Sequence, residues 1–555
     1  MLNHFSSPEF RTRSILGFIF LYLLLVLPFV IWPIDPQPDE RRYSIAAVQM
    51  MASGDFVLPV SETGDLRLTK PPLTYYYVVA GFSLLGETLL GAKLFFLLSA
   101  IAIVMLVFAL ARALGASDTG SLLAVSMMVG HRLFFTTSTQ YIPDIPLVLG
   151  TTCALLGFVH VLRGTARPIH LYLAWVGVAW AILAKGFIAL VLVAIYLAVR
   201  MGGRVAELPI QLRRHERLAV IIAFAVTVPW FAHVALFHWD TLVAQFFGDQ
   251  VANKVKATPA SVLAGLMKTS TGLFLYAAPG LLALTLARRS AGRLVSAGLS
   301  NPAVHFLIAW IVFNLVIFSV SRQIYGRYTL PAAPALMALA GLYATALPWD
   351  ALSHGMRRAV RILVPTAAAI LLAAGALGII FGAEALGIAA IVAAVAGASL
   401  LWRFSATRPV MAGLLAIALF FPTFEVARLP IFMAVFMPTD GKIAARRIDT
   451  LDPQARVLIV NRGAQLVDRI GVERGNFGNL DFARRLPDTL DAEMVIFTDP
   501  ALQPVLEAAG YRLESDRVVM SIDAELEEMW SLILTRDATL IRQNYGAMLY
   551  FATRR

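Results

Sequence analysis

The amino-acid sequence predicts a polytopic α-helical membrane protein: about thirteen transmembrane helices, membrane-surface helices in the first outer loop, and a small C-terminal α/β domain on the outer face. Three observations carry that prediction. The 555 residues are 59% hydrophobic and only 15% charged, more apolar side chain than a soluble core can hide. Apolar stretches long enough to cross about 30 Å of hydrocarbon recur along the chain, centred near residues 24, 100, 125, 152, 177, 192, 227, 280, 311, 336, 370, 391 and 422. Arginines gather in every second connection, as at Arg163 and Arg167, Arg200 to Arg217, Arg288 to Arg293, Arg357 to Arg361, and Arg403 and Arg408. Arg11 and Arg13, ahead of the first run, belong to the same side, which is the positive-inside bias. The net charge of +11 is therefore a topology signal, and no nucleic-acid partner is expected.

The elements follow in order. The apolar run from Ile15 to Ile34 is too long for a signal peptide and lacks a small-residue exit, so it reads as the first anchor. The first outer loop, residues 35–91, holds an amphipathic stretch (Tyr43 to Met51), a polar turn (Ser53-Gly54-Asp55) and an apolar stretch (Leu73 to Leu85). Both stretches suit helices lying along the membrane surface. The segment from Tyr172 to Val199 reads as two spans or as one broken helix, and Pro143, Pro146, Pro331 and Pro334 are tolerated because neighbouring helices satisfy the freed backbone. An odd number of spans with the N-terminus inside puts the C-terminus outside. Residues 1–437 form the transmembrane unit, and 438–555, richer in mixed charge, form the outer α/β domain. Val457-Leu458-Ile459-Val460 and Met494-Val495-Ile496-Phe497 read as buried parallel strands, with Val518-Val519-Met520 and Leu532-Ile533-Leu534 as further candidates. That domain lacks a Gly-rich phosphate loop and is given no catalytic role. The single cysteine, Cys153, rules out a disulfide framework within the chain.

The chemistry concentrates in the outer connections. Asp39-Glu40-Arg41-Arg42-Tyr43 follows the first span, Lys70-Pro71-Pro72-Leu73 lies later in the same loop, and Asp144 follows Tyr141-Ile142-Pro143. Lys254, Arg322 and Arg327 come from later outer connections at the same depth. Ionisable groups where a chain meets lipid are costly unless used, so they read as a site. Cations beside an apolar groove suit a lipid phosphate. Carboxylates beside them suit activation of an acceptor or stabilisation of positive charge on a sugar carbon.

These segments resemble a known family. Asp39-Glu40-Arg41-Arg42-Tyr43 resembles the Asp-Glu-x-Arg-Tyr motif of the bacterial aminoarabinose transferases that modify lipid A, within the C-type (GT-C) glycosyltransferases related to protein O-mannosyltransferases. Lys70-Pro71-Pro72-Leu73, Pro143-Asp144-Ile145-Pro146, Leu183-Ala184-Lys185-Gly186 and Tyr328-Thr329-Leu330-Pro331 with Pro334 are similar to that family's later motifs, in family order.

The resemblance implies a groove in the first outer loop for a polyprenyl-phosphate sugar and transfer, with inversion, to an envelope acceptor, foremost lipid A or lipopolysaccharide. It implies a multi-pass bacterial inner-membrane protein with a cytoplasmic N-terminus and a periplasmic C-terminal domain. Carried onto this chain, Asp39 is the main catalytic carboxylate, with Glu40 and Asp144 shaping the acceptor side. Lys70, Lys254, Tyr328 and Arg327 are the donor-phosphate candidates, with Arg42, Tyr43 and Arg322 in support. Thr69 stands where relatives often carry an acid, and Asp249-Gln250 where a histidine is expected. No metal ligands are therefore assigned and no cofactor is implied, a divalent metal being left open.

Plainer readings compete. Asp39 and Glu40 suit the N-terminus of a surface helix, Lys70 a snorkelling anchor, and Asp144 a cap on the fourth span. Lys185 reads as stabilising a turn rather than touching substrate, and Tyr75, Tyr76 and Tyr77 as an interfacial belt. The sugar and acceptor stay open: mannose, galacturonic acid or another sugar, passed to a core sugar or a protein hydroxyl, fits the same fold. A lipid or sugar transporter or flippase is the different class, but it is expected to place its ionisable residues at mid-bilayer in repeated halves.

Overall fold

The computed structural model describes residues 8–32, 39–61, 64–204, 207–249, 258–288, 301–321, 325–431, 440–451, 455–460, 465–474, 480–483, 485–487, 490–519 and 546–554. Helix α1 (Pro8–Ile31) is followed by α2 (Glu40–Ser53) and α3 (Leu73–Leu85), then α4 (Leu89–Leu114), α5 (Asp118–Val129), α6 (Arg132–Ser138), α7 (Asp144–Leu162) and α8 (Pro168–Lys185). Next come α9 (Ile188–Val199), α10 (Ile210–Phe237), the single turn α11 (Trp239–Leu242), α12 (Pro259–Ser270), α13 (Tyr276–Arg288) and α14 (Pro302–Ser319). A 3₁₀ segment, Gly326–Ala332, leads into α15 (Ala333–Thr345), and α16 (Trp349–Ile380), α17 (Glu384–Thr407), α18 (Pro409–Ala427) and the short α19 (Leu429–Ile431) complete the bundle.

Every predicted span centre falls within one of these helices, but only 10 helical segments among the described residues are long and apolar enough to cross a membrane. The shortfall from about thirteen has a local cause. At 1.5 Å per residue the 12 residues of α5 and of α9 and the 13 of α15 fall short of 30 Å. Each is extended by a break: His131 caps a new helix by accepting from the Phe134 amide at 3.4 Å, a π-helical turn (Arg200–Arg204) prolongs α9, and the 3₁₀ segment precedes α15. The Tyr172 to Val199 segment is two helices, broken at Gly186, whose φ of 91° costs other residues a left-handed strain.

Small residues bring these helices close. A Cβ on Gly150 of α7 would lie 2.6 Å from the Gly177 carbonyl oxygen of α8, so the two backbones touch there. Helices α2 and α3, the two predicted surface helices, are 14 and 13 residues long, too short to span, and pack on each other through Tyr43 and Tyr75, whose ring centroids are 5.1 Å apart. The connectivity sorts charge by bundle end. Arg163 and Arg167 lie between α7 and α8, Arg288 ends α13, and Arg408 precedes α18, whereas Asp39, Asp144 and Lys185 sit where α2 and α7 begin and α8 ends.

Beyond the bundle, α20 (Asp440–Ile448), β1 (Val457–Val460), α21 (Gln465–Arg474), β2 (Leu480–Ala483), β3 (Met494–Phe497), α22 (Gln503–Ala508), β4 (Tyr511–Val519) and β5 (Gly546–Arg554) form a five-stranded sheet unit ordered β2-β1-β3-β5-β4. Strands β1 and β3 are parallel in register Val457 to Met494, as the two apolar runs predicted. Sequence reading found the end of β4 but missed β2 and β5, and β5 runs antiparallel to both β3 and β4. The candidate strand at Leu532 to Leu534, and the proposed boundary at 437/438, lie outside the described residues. A buried Arg469–Asp440 ion pair ties α21 to α20, with Nε to Oδ1 at 2.8 Å. Ile45 of α2 packs against the sheet unit's core, so this unit sits at the bundle end that carries Asp39.

Candidate functional site

Four elements converge on one charged cluster. The Asp39 carboxylate, at the N-terminus of α2, meets Arg42 of the same helix at 2.7 Å and Arg327 of the 3₁₀ segment at 3.8 Å. Arg327 also faces Asp144, the first residue of α7, at 3.7 Å, and Asp144 accepts from Lys185 at the end of α8 at 2.6 Å. Two carboxylates and three cations thus form a chain, Arg42–Asp39–Arg327–Asp144–Lys185, drawn from residues up to 288 positions apart (327 − 39). Proline geometry helps set this: Pro143 precedes α7 at φ −65°, so Asp144 opens the helix facing its end, and Pro331 closes the 3₁₀ segment behind Arg327.

Exposure divides the chain of charges. The side chains of Asp144 and Lys185 are 6% and 12% exposed, while Asp39 and Arg42 are 43% and 41% exposed. The inner pair builds the floor and the outer pair faces the opening. Asp39 does not cap α2 with its side chain, because that carboxylate is taken by Arg42. This argues against helix capping as its purpose.

The predicted residues fare differently. Glu40 is 2% exposed and its Oε1 accepts from the Tyr141 amide at 3.0 Å, which ties α2 to the α6–α7 link. Replacement Glu40→Gln keeps an acceptor oxygen and should leave protein yield and melting temperature near wild type. Glu40→Ala orphans a buried amide and should lower stability by about 1–3 kcal/mol, read from thermal melts of the purified protein. Tyr43 is buried against Tyr75, and burial holds its hydroxyl well above the ordinary phenol range, so it stays protonated. The Tyr328 ring lies over the Lys185 ammonium at 4.3 Å and packs on Phe318 at 5.1 Å, which turns it toward the cluster's floor. Lys70 is half-buried just ahead of α3. Lys254 and Arg322 lie outside the described residues, as do the side chains of Asp249 and Gln250.

Two residues were missed. Lys185, read as a turn stabiliser, is the buried partner of Asp144; the signal was a lysine ending an otherwise apolar span, costly there unless it snorkels or meets an acid. Arg67 donates from Nε to the Tyr75 hydroxyl at 3.0 Å and lies 5.8 Å over the Tyr43 ring, next to Lys70. The tyrosine belt is also corrected: Tyr75 and Tyr77 are 0% and 6% exposed, and only Tyr76, at 38%, faces outward. Among the described residues no group of three or more His, Cys, Asp or Glu is placed to hold a metal ion.

The sequence pattern of the dolichyl-phosphate-mannose-protein mannosyltransferase family matches residues 12–243. The fold resembles that of ArnT from Cupriavidus metallidurans bound to undecaprenyl phosphate, with a TM-score of 0.68, 18% identity, and 96% of this chain and 98% of that one covered. The chain shares that fold. Over 362 residues the chain is 25% identical to the undecaprenyl phosphate-alpha-4-amino-4-deoxy-L-arabinose arabinosyl transferase of Yersinia pestis, covering 62% of the chain and 60% of the relative. An uncharacterized protein of Aquifex aeolicus is 26% identical over 305 residues, covering 54% and 57%. The matches thus span about three fifths of the curated relatives. The segment matching the mannosyltransferase pattern contains Asp39, Lys70, Asp144 and Lys185 but stops short of Arg327, which the fold adds.

Proposed function

We propose that this chain is a GT-C glycosyltransferase that transfers a sugar from a polyprenyl-phosphate carrier to an envelope acceptor, most specifically an aminoarabinose-type pentose to lipid A or lipopolysaccharide, at the outer face of a bacterial inner membrane. The N-terminus and the arginine-rich ends then face the cytoplasm and the sheet unit the periplasm. One observation carries the reading: Asp39 stands half-exposed at the opening of a cluster whose buried remainder is a neutralising chain, Arg327–Asp144–Lys185. Such a chain holds Arg327 in place without consuming the whole of its charge.

In the proposed reaction an acceptor oxygen attacks the anomeric carbon from the face opposite the lipid phosphate. The new C–O bond forms as the carbon–phosphate oxygen bond breaks, the bonding pair leaves with the lipid phosphate, and the configuration inverts. Lys70, Arg327 and Tyr328 would receive the phosphate charge as it develops. With a hydroxyl acceptor Asp39 takes the proton; with a phosphate acceptor no base is needed and Asp39 orients the nucleophile or steadies positive charge on the sugar. The relatives support this reading by their names, one a transferase of undecaprenyl-phosphate aminoarabinose and one a structure bound to undecaprenyl phosphate.

The test is mass spectrometry of envelope lipids from cells with and without the gene, paired with transfer by the purified protein from a synthetic polyprenyl-phosphate pentose. A gene-dependent sugar on lipid A is expected, and Lys70→Ala should raise the apparent donor KM about tenfold or more. Identical envelope lipids and no transfer in vitro would refute the proposal.

A further inference from the structure

One buried amide in the bundle is left over. From Phe306 to Phe318, α14 is apolar except for Asn314, which lies about 7 Å short of the helix end that leads to the charged cluster. Asn314 is 1% exposed, and neither its Oδ1 nor its Nδ2 has a hydrogen-bond partner among the described residues. Among those residues it is the only side chain with two such atoms. A buried polar group without a partner costs stability, so a bare amide inside a spanning helix points to a use. The plainer reading, an amide that glues two helices together, requires a bond across the interface, and among the described residues there is none.

Its neighbours along the helix locate it. Trp310 and Phe318, one turn to either side on the same face of α14, both meet the 3₁₀ segment Gly326–Ala332. The Trp310 indole donates to the Pro331 carbonyl at 2.8 Å, and the Phe318 ring packs on Tyr328 at 5.1 Å. Asn314 therefore belongs to the stripe of α14 that backs this segment, between the levels of Tyr328 and Pro331. The segment has a defect of its own. A 3₁₀ ladder bonds each carbonyl to the amide three residues on, and Pro331 has no amide hydrogen for the Tyr328 carbonyl. The nearby hydroxyls are already engaged: Thr329 donates to the Gly326 carbonyl at 2.9 Å and Ser319 to the Val316 carbonyl at 2.7 Å.

The same segment carries Arg327, which faces both Asp39 and Asp144, and Tyr328, whose ring covers the Lys185 ammonium. We propose that Asn314 is a positioning residue for these two side chains: its Nδ2 donates to the Tyr328 carbonyl and so fixes Arg327 and Tyr328 as they receive the phosphate charge. The bond is not made in this structure, and forming it draws the segment toward α14. The proposal rests on the glycosyl-transfer reading, and no covalent bond changes at Asn314 itself. Negative charge on the leaving phosphate grows as the sugar bond breaks. The benefit therefore falls on the transition state and on the departing polyprenyl phosphate more than on the intact donor.

Asn314→Leu keeps the side chain's shape and removes its amide. Purified full-length protein in nanodiscs is assayed for transfer from a polyprenyl-phosphate pentose, for binding of polyprenyl phosphate alone, and for thermal melting. The variant is expected to melt at or above the wild-type temperature, because a bare amide has been replaced by an apolar group. Its kcat should fall about tenfold with the donor KM within about twofold of wild type, and polyprenyl phosphate should bind about tenfold more weakly. A purely structural amide would move the melting temperature and neither of the other two. In an Arg327→Gln background the same change should cost less than about twofold, since both residues act through one segment. Asn314→Ala, which removes the amide without adding bulk, should show the same kinetic pattern at a lower melting temperature. Wild-type kcat and wild-type polyprenyl-phosphate affinity in folded Asn314→Leu, or an equal loss repeated in the Arg327→Gln background, would overturn the assignment. If wild-type protein binds polyprenyl phosphate and Asn314→Leu weakens that binding, yet neither transfers sugar, the transfer reading fails and the hold on the phosphate-bearing segment stands.

Discussion

Asp39→Asn is expected to lower sugar transfer about 10²–10⁴-fold while the protein folds and binds its donor as before. The argument is geometric. Asp39 is the carboxylate of the cluster that faces the opening, at 43% side-chain exposure, and it meets Arg42 at 2.7 Å and Arg327 at 3.8 Å. Half-exposed ion pairs of this sort contribute little to stability, about 1 kcal/mol or less, so the amide should leave the melting temperature nearly unchanged. A group with little structural purpose and a large kinetic effect is the signature sought. The decisive measurement is single-turnover transfer beside donor titration and thermal melting of the same preparation. Wild-type transfer rates from a folded Asp39→Asn protein would remove Asp39 from the chemistry.

The second large effect concerns the buried pair, and its two halves are not equivalent. Asp144→Asn leaves the Lys185 ammonium and the Arg327 guanidinium facing each other without the carboxylate that separates them. Removing one partner of a buried pair costs about 3–5 kcal/mol; here Lys185 loses its carboxylate while Arg327 keeps Asp39. Lys185→Met leaves Asp144 with Arg327 at 3.7 Å and puts an apolar side chain of similar length against the Tyr328 ring, so it should cost clearly less. The double replacement should recover much of the stability lost by Asp144→Asn and none of the transfer, because Arg327 would no longer be held between two acids. Thermal melts of the three purified variants give the order directly. Equal losses from both single variants, or activity restored in the double one, would contradict this account.

The sequence by itself determined the membrane class, the order of the spans and the bundle end where Asp39, Asp144 and Lys185 gather, because hydropathy and arginine placement are local properties of a chain in lipid. The runs Leu73 to Leu85 and Val457 to Val460 became a helix and a strand with those bounds for the same reason. The tertiary structure alone decided which charges meet. It paired Lys185 with Asp144, turned Glu40 toward the Tyr141 amide, inserted Arg327 between two acids, and added β5 as a strand from the far end of the chain. Those outcomes depend on helix ends and strand edges brought together from distant segments, and burial fixes them because an ion left alone in an apolar interior costs far more than the contact that neutralises it.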